Sequence, residues 1–303
     1  MKIIVAGGTG FIGRALIDHL ARKGHALTVL TRVKKPLTAP GATTLAWDPG
    51  TSGDWRRPLE ENMADADGVI NLAGESIAAG RWTAARKEKL RASRIGSTRA
   101  LVDALAKSRG RTKFLINASA VGYYGPRADE PITEAEHPGS DFLARLCVEW
   151  EAEARRAEAL DARVVLLRTG IVLGRSGGAL AKMVPPFKFF VGGPLGSGAQ
   201  WMPWIHMDDE VGLIDFLVEA NARGAVNATA PEPVTMKDFC AALGKVLRRP
   251  CWAPVPAFVL RAALGEMADI LLTGQRAVPA AAEKLGYRFR FPELPEALRD
   301  ILS

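Results

Sequence analysis

Three features of the sequence predict an α/β fold: a Rossmann-like doubly wound parallel sheet with a smaller C-terminal α-rich lobe. Short β-branched runs alternate with longer helical patterns up to Thr169, a cluster of glycines follows the first run, and the texture then turns glycine- and proline-rich. Such alternation puts helices on both faces of a parallel sheet, whose strands then read as continuous apolar runs.

The elements follow in order. Lys2–Ala6 is a buried strand. Residues 11–23 form a helix with Phe11, Ile12, Ala15, Leu16 and Leu20 on one face. Gly24 takes the C-terminal position where helices commonly end. Ala26–Thr31 is the second strand, 43–47 a weaker third, 67–72 a fourth, 113–118 a fifth and 163–168 a sixth. Long helical patterns cover 83–107 and 141–160. Beyond them, 174–178 and 192–198 are glycine-rich, and Pro185 and Pro186 interrupt what lies between. Helical patterns return at 208–221, 235–247 and 256–264, in a lobe packed across the ends of the sheet.

Composition narrows the function. The 303 residues suit one large domain or two intimate ones. Cys147, Cys240 and Cys251 are scattered and form no CxxC pair, which excludes a disulfide framework and a zinc ribbon. No two of the four histidines stand at the i, i+4 spacing of an HExxH-type metal site, so no metal is expected. The net charge of +7 is spread along the chain, which argues for a basic surface and an anionic ligand rather than nucleic acid. No apolar run approaches the roughly 20 residues that span a bilayer. The apolar start runs straight into glycines and reads as a strand, so the expected compartment is cytoplasmic and the expected partners exclude membrane.

The strongest chemical signal is Gly7-Gly8-Thr9-Gly10-Phe11-Ile12-Gly13, between a strand and a helix. This is the context of a dinucleotide fingerprint. Gly7 or Gly8 allows the tight turn, Gly10 lets backbone approach a diphosphate, and Gly13 permits close helix–strand packing. The free N–H groups and the dipole of the helix start favour the phosphates. An NAD site carries Asp or Glu at the end of the second strand, and no acid lies between Asp18 and Asp48. Thr31 and Arg32 stand there instead, with Lys34 and Lys35 behind. A guanidinium holds a 2′-phosphate bidentately and a hydroxyl donates to it, so the expected cofactor is NADP(H). Residues 1–170 are thus the NADP-binding core, and 171–303 the substrate-side region and small C-terminal domain, packed on that core.

These features resemble the short-chain dehydrogenase/reductase superfamily in its extended, sugar-epimerase-like branch. Residues 7–13, Asn71-Leu72-Ala73-Gly74-Glu75, Arg81-Trp82, Ser93-Arg94, Ser119-Ala120-Val121-Gly122-Tyr123-Tyr124-Gly125, 168–174 and Pro203-Trp204-Ile205-His206 are similar to an atypical group labelled epimerase family proteins. Its members join an epimerase-type core to a small C-terminal domain of unassigned role, and the likeness extends through 237–302. The resemblance implies that Leu72, Ala73 and Gly74 pass beside the adenosine ribose and phosphates. It implies that Arg94 contacts NADP, unless it is a plain helix-surface charge, and that Asp48 meets the adenine.

The superfamily's Tyr-x-x-x-Lys pair, which gives or takes the proton as hydride moves, is absent. The helix that should carry it reads Asp141-Phe142-Leu143-Ala144-Arg145-Leu146-Cys147-Val148-Glu149-Trp150-Glu151. Ser119 and Tyr124 are the candidate catalytic residues, with Asp141 or Glu75 as alternative proton carriers. Trp201 and Trp204 either wall a ligand cleft or join the lobes, and His206 is read as structural. The expected function is an NADP(H)-binding oxidoreductase or epimerase-like enzyme acting on an unidentified small molecule, with a homodimer allowed. The rival from another class is a non-catalytic NADP(H)-binding redox sensor.

Overall fold

The central sheet has seven parallel strands: β1 (Lys2–Ala6), β2 (Ala26–Thr31), β3 (Ala42–Ala46), β4 (Gly68–Asn71), β5 (Phe114–Ala120), β6 (Arg163–Thr169) and β7 (Gly224–Ala228). In this computed structural model, which describes residues 1–32, 39–51, 53–108 and 112–303, they run β7-β6-β5-β4-β1-β2-β3 across the sheet. The order reverses between β1 and β4, where Ala6 pairs with Asn71, and such a switch point opens a crevice at the carboxyl ends of the strands.

The sequence accounts for both layers of helix. On one face lie α1 (Phe11–Arg22) and α6 (Met207–Glu219). Leu16, Ile17 and Leu20 of α1 meet Leu213, Ile214 and Leu217 of α6 over Ile3, Val5 and Val29 of the sheet. The opposite face carries α2 (Arg56–Asp65), α3 (Ala84–Ser108) and α4 (Phe142–Arg155). Leu59, Met63, Leu101, Val102 and Ala154 pack there on Ile4, Val69, Leu115 and Val164. Side chains alternate along a strand, which is why Ile3 and Ile4 serve opposite cores.

A third core belongs to the C-terminal lobe. It joins Phe187 of α5 (Leu180–Lys188), Phe239 and Leu243 of α7 (Met236–Leu247), Trp204, and Leu294 and Leu298 of the last helix. The two prolines expected to interrupt this region lie inside α5. They remove two ladder donors, and α5 ends two residues after them, with Phe190 at φ 62°.

Residues 207–228 return to the sheet as α6 and β7, and Val172, Ile205, Ala282, Tyr287 and Phe289 pack on the same core as α1 and α6. Strand β7 and helix α2 are absent from the sequence expectation, because Gly224–Ala228 is short and Arg56–Asp65 holds only two buried apolar residues. The expected helix over 141–160 is α4 followed by a tighter 3₁₀ turn at Arg156–Leu160.

Candidate functional site

The glycine turn is locked by its own backbone and by the loop after β4. Gly7 N–H and O lie in a turn in which Gly10 N donates to Gly7 O at 3.0 Å. Gly7 has φ +78°, and a Cβ on it would stand 2.5 Å from the Leu72 carbonyl carbon. A Cβ on Gly13 would stand 2.3 Å from Gly7 O. The turn, the helix start and residues 72–74 therefore share a space that side chains would fill. Gly10 caps α1, no acid occupies the first helical turn, and the first amides remain available to an anion.

Phe11 points elsewhere. Its ring sits against Gly174, Gly177 and Gly178, where added Cβ atoms would come within 3.0, 2.8 and 2.9 Å of it. The first residue of α1 is thereby clamped by the small sheet strands Ile171–Gly174 and Gly177–Gly178, and Ile12 packs half-buried beside the core below.

At the end of β2, Thr31 is buried and Arg32 is 70% exposed in its side chain. Arg32 Nη1 is 3.7 Å from Glu75 Oε1, and Glu75 Oε2 is 3.5 Å from Arg86 Nη1. Arg94 lies under Gly74, its guanidinium carbon 3.2 Å from where a Cβ would be, and stacks over Trp150 at 5.2 Å. Burial pulls the Arg94 pKa down. Ala73 N donates to the Asn71 side chain at 3.1 Å, which shapes the loop. Thus Arg32, Leu72, Ala73, Gly74 and Arg94 line one edge with the glycine turn, and Glu75 joins them as a counter-ion. Arg86 is an addition; the signal for it was a cation in the first turn of α3, where the dipole disfavours positive charge. Asp48 accepts from Gly50 N at 3.1 Å and closes its own turn. Lys34 and Lys35 lie outside the described residues.

The structure unites Ser119 and Tyr124 in one buried polar network. Ser119 Oγ donates to Glu151 Oε1 at 2.7 Å. Arg168 grips the same carboxylate with two bonds, Nε to Oε1 at 2.8 Å and Nη2 to Oε2 at 2.9 Å. Arg168 Nη1 donates to the Tyr124 hydroxyl at 3.0 Å, and that hydroxyl donates to Asn227 Oδ1 at 2.7 Å. All five residues are buried. Burial pushes the Tyr124 phenol up to about 12, against the pull of Arg168. On α4 the face expected to hold Tyr and Lys presents Cys147 and Glu151, one turn apart. Burial raises the Cys147 thiol to about 12.

Other candidates resolve plainly. Asp141 caps α4, accepting from Ala144 N at 2.7 Å. His206 caps α6 through Nδ1, at 3.0 Å from Asp208 N, and burial lowers its pKa. Trp204 is a core residue of the lobe, while Trp201 is half-buried and donates to Asp129 at 3.0 Å. Sequence reasoning also missed the pair of Thr169 and Glu210. Thr169, at the end of β6, donates through Oγ1 to Glu210 Oε1 at 2.9 Å. Glu210 is fully buried, its Oε2 has no partner, and burial pushes its pKa up to about 8. In sequence it is merely the third acid in the run Asp208-Asp209-Glu210, which reads as an ordinary helix start.

No group of three or more His, Cys, Asp or Glu side chains among the described residues could hold a metal, and no helix among them is long and apolar enough to cross a membrane. Residues 3–229 match the NAD dependent epimerase/dehydratase family, and 255–301 match a domain of unknown function, DUF1731. The chain is 42% identical to "Epimerase family protein SDR39U1 homolog, chloroplastic" of Arabidopsis thaliana, over 100% of this chain and 87% of that one. It is 40% identical to "Epimerase family protein YfhF" of Bacillus subtilis, over 100% and 98%. Among solved structures, human epimerase family protein SDR39U1 with NADPH superposes with a TM-score of 0.88 at 35% identity, covering 99% of each chain. With the switch-point crevice, the glycine turn and these likenesses together, the chain belongs to the NAD dependent epimerase/dehydratase family.

Proposed function

We propose that this protein binds NADP(H) at the glycine turn and carries out oxidoreductase or epimerase-type chemistry on a small molecule. The observation that carries the reading is the exposed Arg32 guanidinium at the end of β2, on the strand next to the turn. The cradle fits the group: amides at the start of α1 would hold a diphosphate, Gly7, Gly10 and Gly13 let the turn close on itself and on residues 72–74 beside it, and Arg32 would hold the 2′-phosphate. Arg94 adds positive charge beneath Gly74. When bound, the dihydronicotinamide supplies hydride. Human SDR39U1, the relative crystallised with NADPH, supports the choice of cofactor.

Ser119 and Tyr124, in this reading, hold the ends of β5 and β6 in place rather than move protons. Tyr124 has both its hydrogen-bond directions filled by Arg168 and Asn227. Its pKa of about 12 keeps it protonated in a closed environment. The Glu151–Arg168 pair supplies the countercharge that lets this network stay dry.

Calorimetry with NADPH and NADH tests the cofactor assignment. Arg32→Glu should weaken NADPH by about ten- to a hundredfold, the worth of a charge-assisted bond, and leave NADH nearly unchanged. Equal weakening of both would remove the 2′-phosphate role from Arg32.

A further inference from the structure

The network around Tyr124 occupies that hydroxyl with Arg168 and Asn227, and a buried acid lies at the same end of the sheet. Thr169 closes β6 and pairs across the sheet with Ala120 of β5 and Ala228 of β7. It is half-buried and is the last residue of its strand, at the carboxyl edge of the sheet where the crevice opens. Behind it stands Glu210, in the first turn of α6. That turn lies beside the start of α1, because Met207 and Phe11 both pack on Gly174. The carboxyl thus sits between the glycine-turn helix and the end of β6.

We propose that Thr169 and Glu210 form the proton-delivering pair of this site. Thr169 is the catalytic residue that touches the substrate oxygen, and Glu210 is the positioning residue that stores the proton behind it. The proposal rests on the NADP(H) reading above.

Three features of the geometry support it. First, Glu210 is wholly buried and pairs with no Lys, Arg or His among the described residues. An isolated buried carboxylate costs several kcal/mol, so the group keeps its proton instead. Second, among the described residues Glu210 Oε2 has no partner, and Oε1 bonds one hydroxyl, that of Thr169. The two oxygens thus lie in series between the buried carboxyl and the end of β6. Third, the groups around it add no cation among the described residues. Thr169 faces it from β6, Asp208 and Asp209 flank it on α6, and the Tyr287 phenol, bonded to Asp209, lies near it from the C-terminal segment. Burial raises the pKa values of Asp209 and Tyr287 as well, so this corner as a whole resists negative charge.

In reduction of a carbonyl, the carbon gains hydride from the dihydronicotinamide, and the C=O electron pair moves onto oxygen. For delivery the bond between the two turns round, so that Glu210 Oε1–H donates to Thr169 Oγ1; the substrate oxygen then takes the proton of Thr169 Oγ1, and Thr169 takes the proton of Glu210 Oε1. The products are an alcohol, the oxidised cofactor and a Glu210 carboxylate, which takes a proton from water back through Thr169. The N-terminus of α6 steadies this transient anion through its dipole. Oxidation runs the same steps backwards.

Infrared difference spectroscopy reads the proton directly, without a turnover assay. The wild-type protein at neutral pH should show a protonated-carboxyl C=O band, shifted by carbon-13 labelling of glutamate and missing in Glu210→Gln. NADPH should move that band in the wild type and in Thr169→Ser, but not in Thr169→Val. The labelled wild type makes the reading independent of whether any variant folds. An ionised Glu210 at neutral pH overturns the proposal while the cofactor reading stands. So does a band that ignores NADPH when calorimetry shows NADPH bound. No heat with NADPH at all overturns both.

Discussion

At the residue scale, one side chain has a different meaning in different company. Tyr124 read from sequence is a phenol near a cofactor loop; in the structure it joins Arg168 to Asn227. Tyr124→Phe keeps the ring and deletes the hydroxyl, leaving the Asn227 carbonyl and one Arg168 donor short of a partner. It should cost about 1–3 kcal/mol in urea unfolding and leave NADPH affinity in place. A large loss of cofactor binding with normal stability would return Tyr124 to the site. Glu210 supplies a pH signature of its own. The folded protein holds its proton up to about 8, against an ordinary value of 4.5. In that window the native state binds more proton than the unfolded one, so stability is full below the ordinary value and declines as pH rises through about 8. Chemical unfolding of the wild type should show this decline, and Glu210→Gln should lack it. Identical pH profiles for the two would place Glu210 in contact with water.

Among the elements, β1, the glycine turn and α1 behave as one unit. Gly13→Ala would set a Cβ 2.3 Å from Gly7 O, a backbone atom that cannot swing aside. The turn must then widen, which misaligns the α1 amides. The expected result is a stability loss of about 1–3 kcal/mol, as for overpacking elsewhere, together with a loss of NADPH heat. Unchanged calorimetry for this variant would show that the amides do not grip the cofactor. The turn was legible in the sequence because a glycine requirement is local: it follows from φ and from close approach within a few residues. Helix α2 and strand β7 were not legible, since each holds a short apolar signal that only its neighbours complete.

For the whole molecule, the three cores are tied together by contacts that cross the lobes. Phe11 of α1 inserts into the 171–178 strands, and Arg81 donates to the Ala263 carbonyl at 2.9 Å. Lys87 holds Glu266 at 2.6 Å. Cofactor binding at the turn should therefore stabilise the lobe as well as the sheet. A hundredfold excess of NADPH over its Kd should add about 2.7 kcal/mol, in a single unfolding transition followed by calorimetry. Two transitions, of which NADPH moves one, would show that the lobes unfold independently.

The amino-acid sequence alone determined the strand–helix alternation, the glycine turn, the placement of Thr31 and Arg32 at the end of β2, and the lack of Tyr-x-x-x-Lys. Each of these depends on periodicity or on neighbours within a few positions. Tertiary structure decided the rest. It brought Ser119, Glu151, Arg168, Tyr124 and Asn227 into one network and set Glu210 behind Thr169. These partners come from different elements, and only folding removes the water that would otherwise decide their charge.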